Sequence, residues 1–404
     1  MTPSPTLSRV LKGELCAGCG LCASVAGDAV TLELAEPGFI RPRQIATITA
    51  DAECRIARAC PGAEVAPWGD GANVHPAWGP LGTVATGHTT DDRLRHAASS
   101  GGMISALLDH ALTSGTVDAV VQTRADTIDP VGNMTVISTS PAEVEASAGS
   151  RYAPSAPLGA VEDLLAGTTR YAFVGKPCDV SALRQLGTID PRVAERFPVM
   201  LAFFCGGIPS RAGSHEVVRA MGYQPPEVTA FRYRGNGWPG EARATRADGS
   251  FAEMNYADSW GAHLSKHVQF RCKICPDAVG GVADIACADA WYGGESGYPQ
   301  FDEAAGRSLV IARTPAGERL LASAVAANGV VIEPLDPREI VLMQPAQQRR
   351  KALLVARFAA LSVTGQSWPR VHGLRVLQAA RLASIGLSLR NFLGTARRVM
   401  QGRK

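Results

Sequence analysis

The sequence predicts an α/β protein with a short cysteine-rich segment at its front and helices at its end. Three observations carry this. The apolar runs AVVQT (119–123), YAFVG (171–175), VMLAFF (199–204) and SLVIA (308–312) read as buried strands. Helical-period stretches such as GMISALLDHAL (102–112) and DVSALRQLG (179–187) lie between them. The ten cysteines fall into two groups, Cys16, Cys19, Cys22, Cys54 and Cys60, then Cys178, Cys205, Cys272, Cys275 and Cys287, separated by a long cysteine-free stretch.

A chain of 404 residues exceeds the ~100 to 200 usual for one domain, so two or three are expected. Hydrophobic residues at 46% and charged residues at 19% describe a globular protein and exclude a disordered or fibrous one. No run of ~18 uncharged apolar residues is present to span a membrane. The first residues, MTPSPTLSRVLKGELC, lack the ~7 to 15 residue apolar core of a secretory signal, which gives a cytoplasmic expectation. In a reducing compartment clustered cysteines point to metal or cofactor ligation before disulfides.

Residues 1–66 form the cysteine-rich segment. A Pro/Gly-rich stretch over 67–82, within APWGDGANVHPAWGPLG, reads as a linker. The α/β body follows as 83–170 and 171–345, and 346–404 reads as a helical, basic tail. From Val371 to the C-terminus there are seven Arg and Lys and no acid, so the formal net charge of +3 divides into about +7 for the tail and −4 for the rest. The basic character therefore belongs to the tail and not to a nucleic-acid groove. In that tail Ile385, Leu389, Phe392, Ala396 and Met400 recur at helical steps with Arg381, Arg390, Arg397, Arg398 and Arg403 interspersed. Such a helix packs on the body or a partner subunit, or docks on an anionic membrane face.

Cys16-Ala-Gly-Cys19-Gly-Leu-Cys22 has the C-x2-C-x2-C spacing that wraps one cubane in ferredoxins. The fourth cysteine of that pattern would stand at Ala26. In two-cluster ferredoxins the fourth Cys of each run, followed by Pro, ligates the other cluster, and Cys60-Pro61 matches it. The companions of Cys60 would be Ala50, Glu53 and Ile56, so a second cluster has lost its ligands while Cys60 remains to close the first. The spacing predicts one 4Fe-4S cluster on Cys16, Cys19, Cys22 and Cys60, with Cys54 spare. A structural zinc site is the alternative.

Cys272-Lys-Ile-Cys275 supplies a second knuckle, which alone is compatible with a redox dithiol, zinc or no ligand at all. Cys178 and Cys205 each follow an expected strand, and carboxyl ends of neighbouring strands converge where α/β folds hold ligands. A second cluster on Cys178, Cys205, Cys272 and Cys275 follows. Cys287 reads as a small buried hydrophobe.

Taken together, CAGCGLC, ASSGGMISALL (98–108), SRYAPS (150–155), VGKPCDVSALR (174–184), FFCGG (203–207), FRYRGNGWPG (231–240), RCKICPD (271–277) and ADIACADAW (283–291) resemble the β-subunit family of coenzyme F420-reducing hydrogenases. That family also takes in formate dehydrogenase β subunits and ferredoxin-dependent chlorophyllide reductases. The resemblance covers most of residues 10–365. It implies a ferredoxin-like iron-sulfur segment on a mixed α/β FAD-binding body, with C-terminal helices. It also implies FAD contacts at Ser99, Ser100, Gly101, Gly102 and Tyr152, where an SSGG turn opening a helix suits phosphate; without the resemblance that turn reads equally as an ordinary helix cap. Ala288-Asp289 departs from the Gly-Asp usual before the Trp of the last motif, so backbone approach there is less permissive.

The expected activity is an FAD- and iron-sulfur-dependent reductase. Electrons pass between a ferredoxin- or deazaflavin-type carrier and a small organic acceptor, in a set of bacterial relatives partly associated with surface polysaccharide synthesis. Lys176 and Asp289 are the candidate proton donors, though Lys176 equally suits neutralising a flavin or cluster charge and Asp289 capping a turn. The rival readings are a non-catalytic electron-transfer subunit of a larger complex, which makes an oligomer expected, a chlorophyllide reductase, and a zinc-stabilised binding protein. Gly235-Asn-Gly-Trp-Pro-Gly240 matches a dinucleotide fingerprint, but EARATRADGSFAEM after it alternates like strands, so it reads as a loop and no NAD site is expected. Arg234 before it and Trp238 within it face either the flavin or substrate, or sit in an exposed turn. His88, His96 and His110 read as structural.

Overall fold

The computed structural model describes residues 1–69, 71, 73–293 and 300–402. The chain begins with helix α1 (Pro5–Lys12), capped by the Ser4 hydroxyl, which accepts from the Leu7 amide at 3.0 Å. Helix α2 (Leu21–Ala26) starts at Gly20, whose φ of 87° is left-handed. An antiparallel hairpin pairs Val30–Ala35 with Phe39–Gln44. Helix α3 (Ala50–Ala59), capped by Thr49, ends at Cys60. The three close-spaced cysteines thus enter one helix and the fourth leaves another.

The body is one eight-stranded mixed sheet. Its strands are β1 (Val84–Thr89), β2 (Ala119–Ala125), β3 (Asn133–Ser138), β4 (Tyr171–Gly175), β5 (Val199–Phe203), β6 (Ile285–Asp289), β7 (Ser308–Ala312) and β8 (Val330–Pro334), in spatial order β8-β1-β7-β6-β5-β4-β2-β3. β2, β4, β5 and β6 run parallel, while β3, β7, β1 and β8 join by antiparallel pairings. The central runs are apolar throughout because both faces are covered: Val199, Met200, Leu201 and Ala202 are all buried, as are Leu309 to Ala312. Ala202 is in register with both Gly175 and Ala286, so the carboxyl ends of β4, β5 and β6 stand side by side.

Helix α4 (Met103–Thr113) follows the ASSGG turn after β1, and α5 (Pro177–Gly187) follows β4 at once. Pro177 at the first turn of α5 suits its fixed φ, and the Asp179 carboxylate accepts from the Lys176 amide at 3.0 Å. Ala59 of α3 packs with Val180, Leu183 and Leu186 of α5, and Gln185 donates to the Ala59 carbonyl at 3.3 Å. This seats the front segment on the body. A separate antiparallel sheet joins Val228–Arg232, Ala242–Arg246 and Phe251–Met254, so the residues 235–240 form a loop between strands, as expected from the alternation after them.

Two expectations about organisation are corrected. The stretch 67–82 is not a linker: Trp68, Ala77 and Trp78 are buried in a core cluster with Val84, Leu309 and Ile340, and Trp68 donates to Asp277 at 3.2 Å. Two tryptophans carry more apolar surface than a solvated connector leaves in water, so the prolines and glycines mark turns inside a packed segment. Asp70 and Ala72 of that stretch lie outside the described residues. The division into 83–170 and 171–345 also cuts through a single sheet, since β1 pairs with β7 and β8.

Helices α6 (Pro345–Ala352), α7 (Leu354–Val363) and α8 (Ile385–Met400) close the chain. In α8, Thr395 and Ala396 are buried, and Val399 packs with the cluster that holds Cys16 and Phe358. The stripe expected from the sequence is therefore split: Ile385, Leu389 and Met400 are exposed, Phe392 is half-buried and Ala396 faces inward, while Leu393 adds to the exposed side. Arg403 lies outside the described residues. Among the described residues no helix is long and apolar enough to cross a membrane.

Candidate functional site

The front group of thiols sits where α2 begins and α3 ends. Cys16 and Cys19 are buried, and Cys22 and Cys60 are half-buried. Burial, followed by the charges of Cys60, Asp179 and Cys16, pushes the Cys19 thiol well up. Cys22 is raised by burial and by Cys19, Cys16 and Cys60, and Cys60 is raised to about 11 by burial and Cys16. Cys16 and Cys60 both act on the Cys19 and Cys22 thiols, and Cys16 acts on Cys60, so the four lie close together. Backbone N–H groups point at the sulfurs: Gly18 donates to Cys16 at 3.4 Å, and Gly62 and Ala63 donate to Cys60. Cys54 stands apart and exposed on α3.

The second group gathers at the carboxyl edge of the sheet. Cys178 lies in the first turn of α5 and Cys205 two residues past β5, while Cys272 sits in a one-turn helix (Phe270–Lys273) and Cys275 just past it, ahead of β6. A small cavity is lined by all four, together with Lys176, Arg271 and Arg350. Burial and Asp179 push the Cys178 thiol up, with Cys205 and Cys272 adding to it. Cys205 is pushed up to about 12 by burial and then Cys272 and Cys275. The Ile208 amide donates to the Cys272 sulfur at 3.4 Å. Buried Arg271 stands between the groups: its charge lowers both Cys60 and Cys275, and it donates to the Pro61 carbonyl at 3.0 Å.

Among the described residues no group of three or more His, Cys, Asp and Glu side chains is arranged to hold a metal ion. The fit of an iron-sulfur cluster rests on the donor chemistry. Each group offers four thiols whose thiolates repel one another, amide donors aimed at sulfur and a shared cationic neighbour, and a cationic cluster core relieves that repulsion.

Beside the second group opens a cavity of about 1040 Å³. Its lining includes Ser99, Ser100, Gly102, Tyr152, Lys176, Cys205, Cys272 and Asp289. It therefore brings every expected flavin residue except Gly101 to the same space as two of the cysteines. Gly101 is packed behind the wall, where a Cβ would stand 2.6 Å from the Gly87 carbonyl oxygen, and its amide donates to the Ser308 hydroxyl at 3.0 Å. Gly102 lines the cavity in a left-handed conformation (φ 71°) at the N-terminus of α4. The two serine hydroxyls already have protein partners: Ser99 accepts from the Ser150 amide, and Ser100 donates to the Arg307 carbonyl at 2.9 Å. What this turn presents is backbone and the helix end, not two free hydroxyls.

Lys176 is buried where the cavity, Cys178 and Cys19 meet. Its ammonium contacts Asp179 at 2.7 Å and donates to the Ser155 hydroxyl at 3.0 Å. Burial works against the charge, but Asp179 and then Cys178 hold its pKa above the ordinary value. Asp289, at the end of β6, is held differently. Arg234, 2% exposed, binds both carboxylate oxygens at 2.9 Å, and the Trp238 indole N–H donates to it at 2.8 Å. The guanidinium also donates to the Ser99 carbonyl at 2.7 Å and lies over the rings of Tyr256 and Trp291. Trp238 stacks on Trp291 with centroids 4.7 Å apart. Arg234 thus lines the cavity, and Trp238 is buried behind that wall against Trp291; neither sits in an exposed turn.

Sequence reasoning missed the cations around the thiols. Arg271 was available from its place beside Cys272 in RCKIC, whereas Arg350, which donates to the Cys205 and Gly206 carbonyls at 2.7 Å each, reaches them from α6 with no local signal.

Residues 84–162 match the family model for the N-terminal part of the coenzyme F420 hydrogenase/dehydrogenase beta subunit, and residues 168–338 match that for its C terminus. The chain is 25% identical over 263 residues to the coenzyme F420 hydrogenase subunit beta of Methanococcus voltae, covering 63% of this chain and 85% of the relative. It is 24% identical over 221 residues to the chloroplastic 7-hydroxymethyl chlorophyll a reductase of Oryza sativa subsp. japonica, covering 54% of this chain and 45% of that one. A chain of the F420-reducing [NiFe] hydrogenase complex from Methanosarcina barkeri, solved as a xenon derivative, shares the fold at a TM-score of 0.54 and 19% identity, covering 73% of this chain and 98% of that one. The chain belongs to the coenzyme F420 hydrogenase/dehydrogenase beta-subunit family, a family of redox proteins.

Proposed function

We propose that the protein is an iron-sulfur flavoprotein reductase, with 4Fe-4S centres on Cys16, Cys19, Cys22 and Cys60 and on Cys178, Cys205, Cys272 and Cys275, and FAD in the large cavity. The observation that carries this is the cavity lining, which joins the Ser99–Gly102 turn to Cys205 and Cys272. Bound there, the clusters supply one-electron steps and FAD the two-electron reduction of an organic acceptor.

The residues of this chain have separate tasks. The Gly102 end of α4 directs its first-turn amides at cofactor phosphate. Arg271 offsets negative charge at both thiol groups at once. Lys176 stays an ammonium between the thiols and the cavity and can lend a proton there, with Asp179 and Ser155 fixing its position. Asp289, clamped by Arg234 and Trp238, sets the shape of the aromatic wall; its role is positioning, and Lys176 remains the proton-donor candidate. The electron donor is a ferredoxin- or deazaflavin-type carrier, and the acceptor a small organic molecule.

A stepwise anaerobic reductive titration tests the reading. About four electrons per chain are expected, two for the flavin and one for each cluster. Uptake of about three electrons would remove one cluster, and of about two either both clusters or the flavin. The similarity to subunits of hydrogenase complexes favours a second reading, a relay that hands electrons to a larger assembly. A relay reduces dyes but turns over no organic acceptor as an isolated chain.

The tail supports a peripheral membrane contact as a further part of this proposal. Ile385, Leu389, Leu393 and Met400 form an exposed stripe on α8, with Arg390 and Arg397 exposed beside it and no acid on the helix. Co-sedimentation with anionic vesicles, lost on replacing Ile385, Leu389 and Leu393 by Ser, is expected; unchanged sedimentation contradicts the contact.

A further inference from the structure

The large cavity has a cationic wall that neither the cluster ligands nor the Ser99–Gly102 turn explains. Arg350 of α6, Arg357 of α7 and Arg398 of α8 all line it. All three follow residue 338, where the family match ends. Their fixed partners are neutral oxygens: Arg350 donates to the Cys205 and Gly206 carbonyls, Arg357 to the Lys273 carbonyl at 2.7 Å, and Arg398 to the Thr395 hydroxyl at 3.2 Å. Among the described residues the carboxylates on the cavity lining are those of Asp179 and Asp289, and these are already paired with Lys176 and Arg234. Burial, and after it the charges of Arg350, Arg398 and Arg349, pushes the Arg357 guanidinium down to about 10. Arg350 also faces the thiols of Cys205 and Cys275, but three guanidiniums from three helices on a concave surface, with no further carboxylate on its lining among the described residues, form a site suited to an anion.

We infer that Arg350, Arg357 and Arg398 bind an anionic group, phosphate or carboxylate, on the organic acceptor. The inference rests on the flavin reading above. Its placement follows from the two kinds of anion site in one cavity. The α4 N-terminus offers backbone amides, suited to the cofactor phosphates. The arginine wall adjoins Cys205 through Arg350, on the side where electrons enter, and an acceptor has to meet the flavin near there. Guanidinium forks match the flat or tetrahedral oxyanion in two-point contact and so fix orientation as well as affinity.

The test uses the full chain with its cofactors loaded, and inorganic pyrophosphate and citrate as probes in calorimetric titrations at low and high salt. Wild-type protein is expected to bind at least one probe in a salt-sensitive way. Arg357→Gln and Arg398→Gln should each weaken it about tenfold or more, as loss of a charge-assisted hydrogen bond does, and the double variant should abolish it. Arg390→Gln, on the outer face of α8 and off the cavity lining, should leave the probe binding unchanged. Stronger binding of pyrophosphate identifies a phosphate group on the acceptor, and stronger binding of citrate a carboxylate. FAD and iron are measured on each sample. Equal affinity in all variants overturns the inference, and so does loss of FAD in step with loss of probe binding, because the arginines would then hold the cofactor. A wild-type preparation without FAD that still shows the arginine-dependent binding would instead sink the flavin reading.

Discussion

Replacing Asp289 by Ala removes one partner of a buried ion pair and leaves the other in place. The Arg234 side chain is 2% exposed and that of Asp289 19%, so the guanidinium cannot turn to water while the carboxylate is partly solvated. The substitution deletes two Arg234 bonds of 2.9 Å and the Trp238 bond of 2.8 Å, leaving the guanidinium on the Ser99 and Pro239 carbonyls and two aromatic faces. Breaking a buried pair from one side costs about 3 to 5 kcal/mol, and the partial exposure of Asp289 puts this case near the lower end, at about 3 kcal/mol. Unfolding entropy of about 2.1 cal/mol/K per residue gives about 0.85 kcal/mol/K for 404 residues, so the melting temperature should fall by about 3 to 4 °C. The assay is anaerobic thermal unfolding of the loaded protein with near-ultraviolet circular dichroism, because the stacked Trp238 and Trp291 report on the same wall. Asp289→Asn should lose less. A melting temperature within about 1 °C of wild type, with an unchanged aromatic spectrum, would refute the assigned role.

Three further outcomes are expected. Gly101→Ala drives a Cβ to 2.6 Å from the Gly87 oxygen and 2.9 Å from the Ser308 nitrogen, so about 1 to 3 kcal/mol of stability and part of the bound flavin should be lost; full flavin content would contradict the tight packing behind the turn. Asp109 is raised to about 7 by burial and by Glu145 and Asp91, so the folded state holds its proton longer than the unfolded one and stability falls as pH rises from about 4 to 7. After allowance for its partial exposure, Asp109→Asn should stabilise by about 1 to 2 kcal/mol at pH 8 and by little at pH 4 in urea titrations, and an equal effect at both would refute this. Cys60→Ser should lower iron by about four per chain, whereas Cys54→Ser should leave it unchanged; equal loss in both would undo the ligand assignment.

What could be read from the sequence was mostly what is local in the chain. β4 and β7 coincide with YAFVG and SLVIA because strands buried on both faces are continuous apolar runs. β1 escaped notice because VATGHT is polar in places and its Gly87 sits against the Met103 side chain. That the front cysteines lie together was legible from their spacing. Cys178 and Cys205 could be brought together since each directly follows a strand, and β4 and β5 are parallel neighbours. The partners that shape the cavity are distant in sequence: Arg234 meets Asp289 across 55 residues, and Arg350 meets Cys205 across 145. No periodicity announces such pairs. Trp68 and Trp78 were lost for the opposite reason, since strong Pro and Gly signals around them concealed aromatic residues that bury.

The central claim is tested most directly by composition. Protein purified without oxygen, with iron, sulfide, zinc and flavin measured on one sample, should contain about eight iron, about eight sulfide and about one FAD per chain. Zinc in place of iron, with no flavin, would contradict the account.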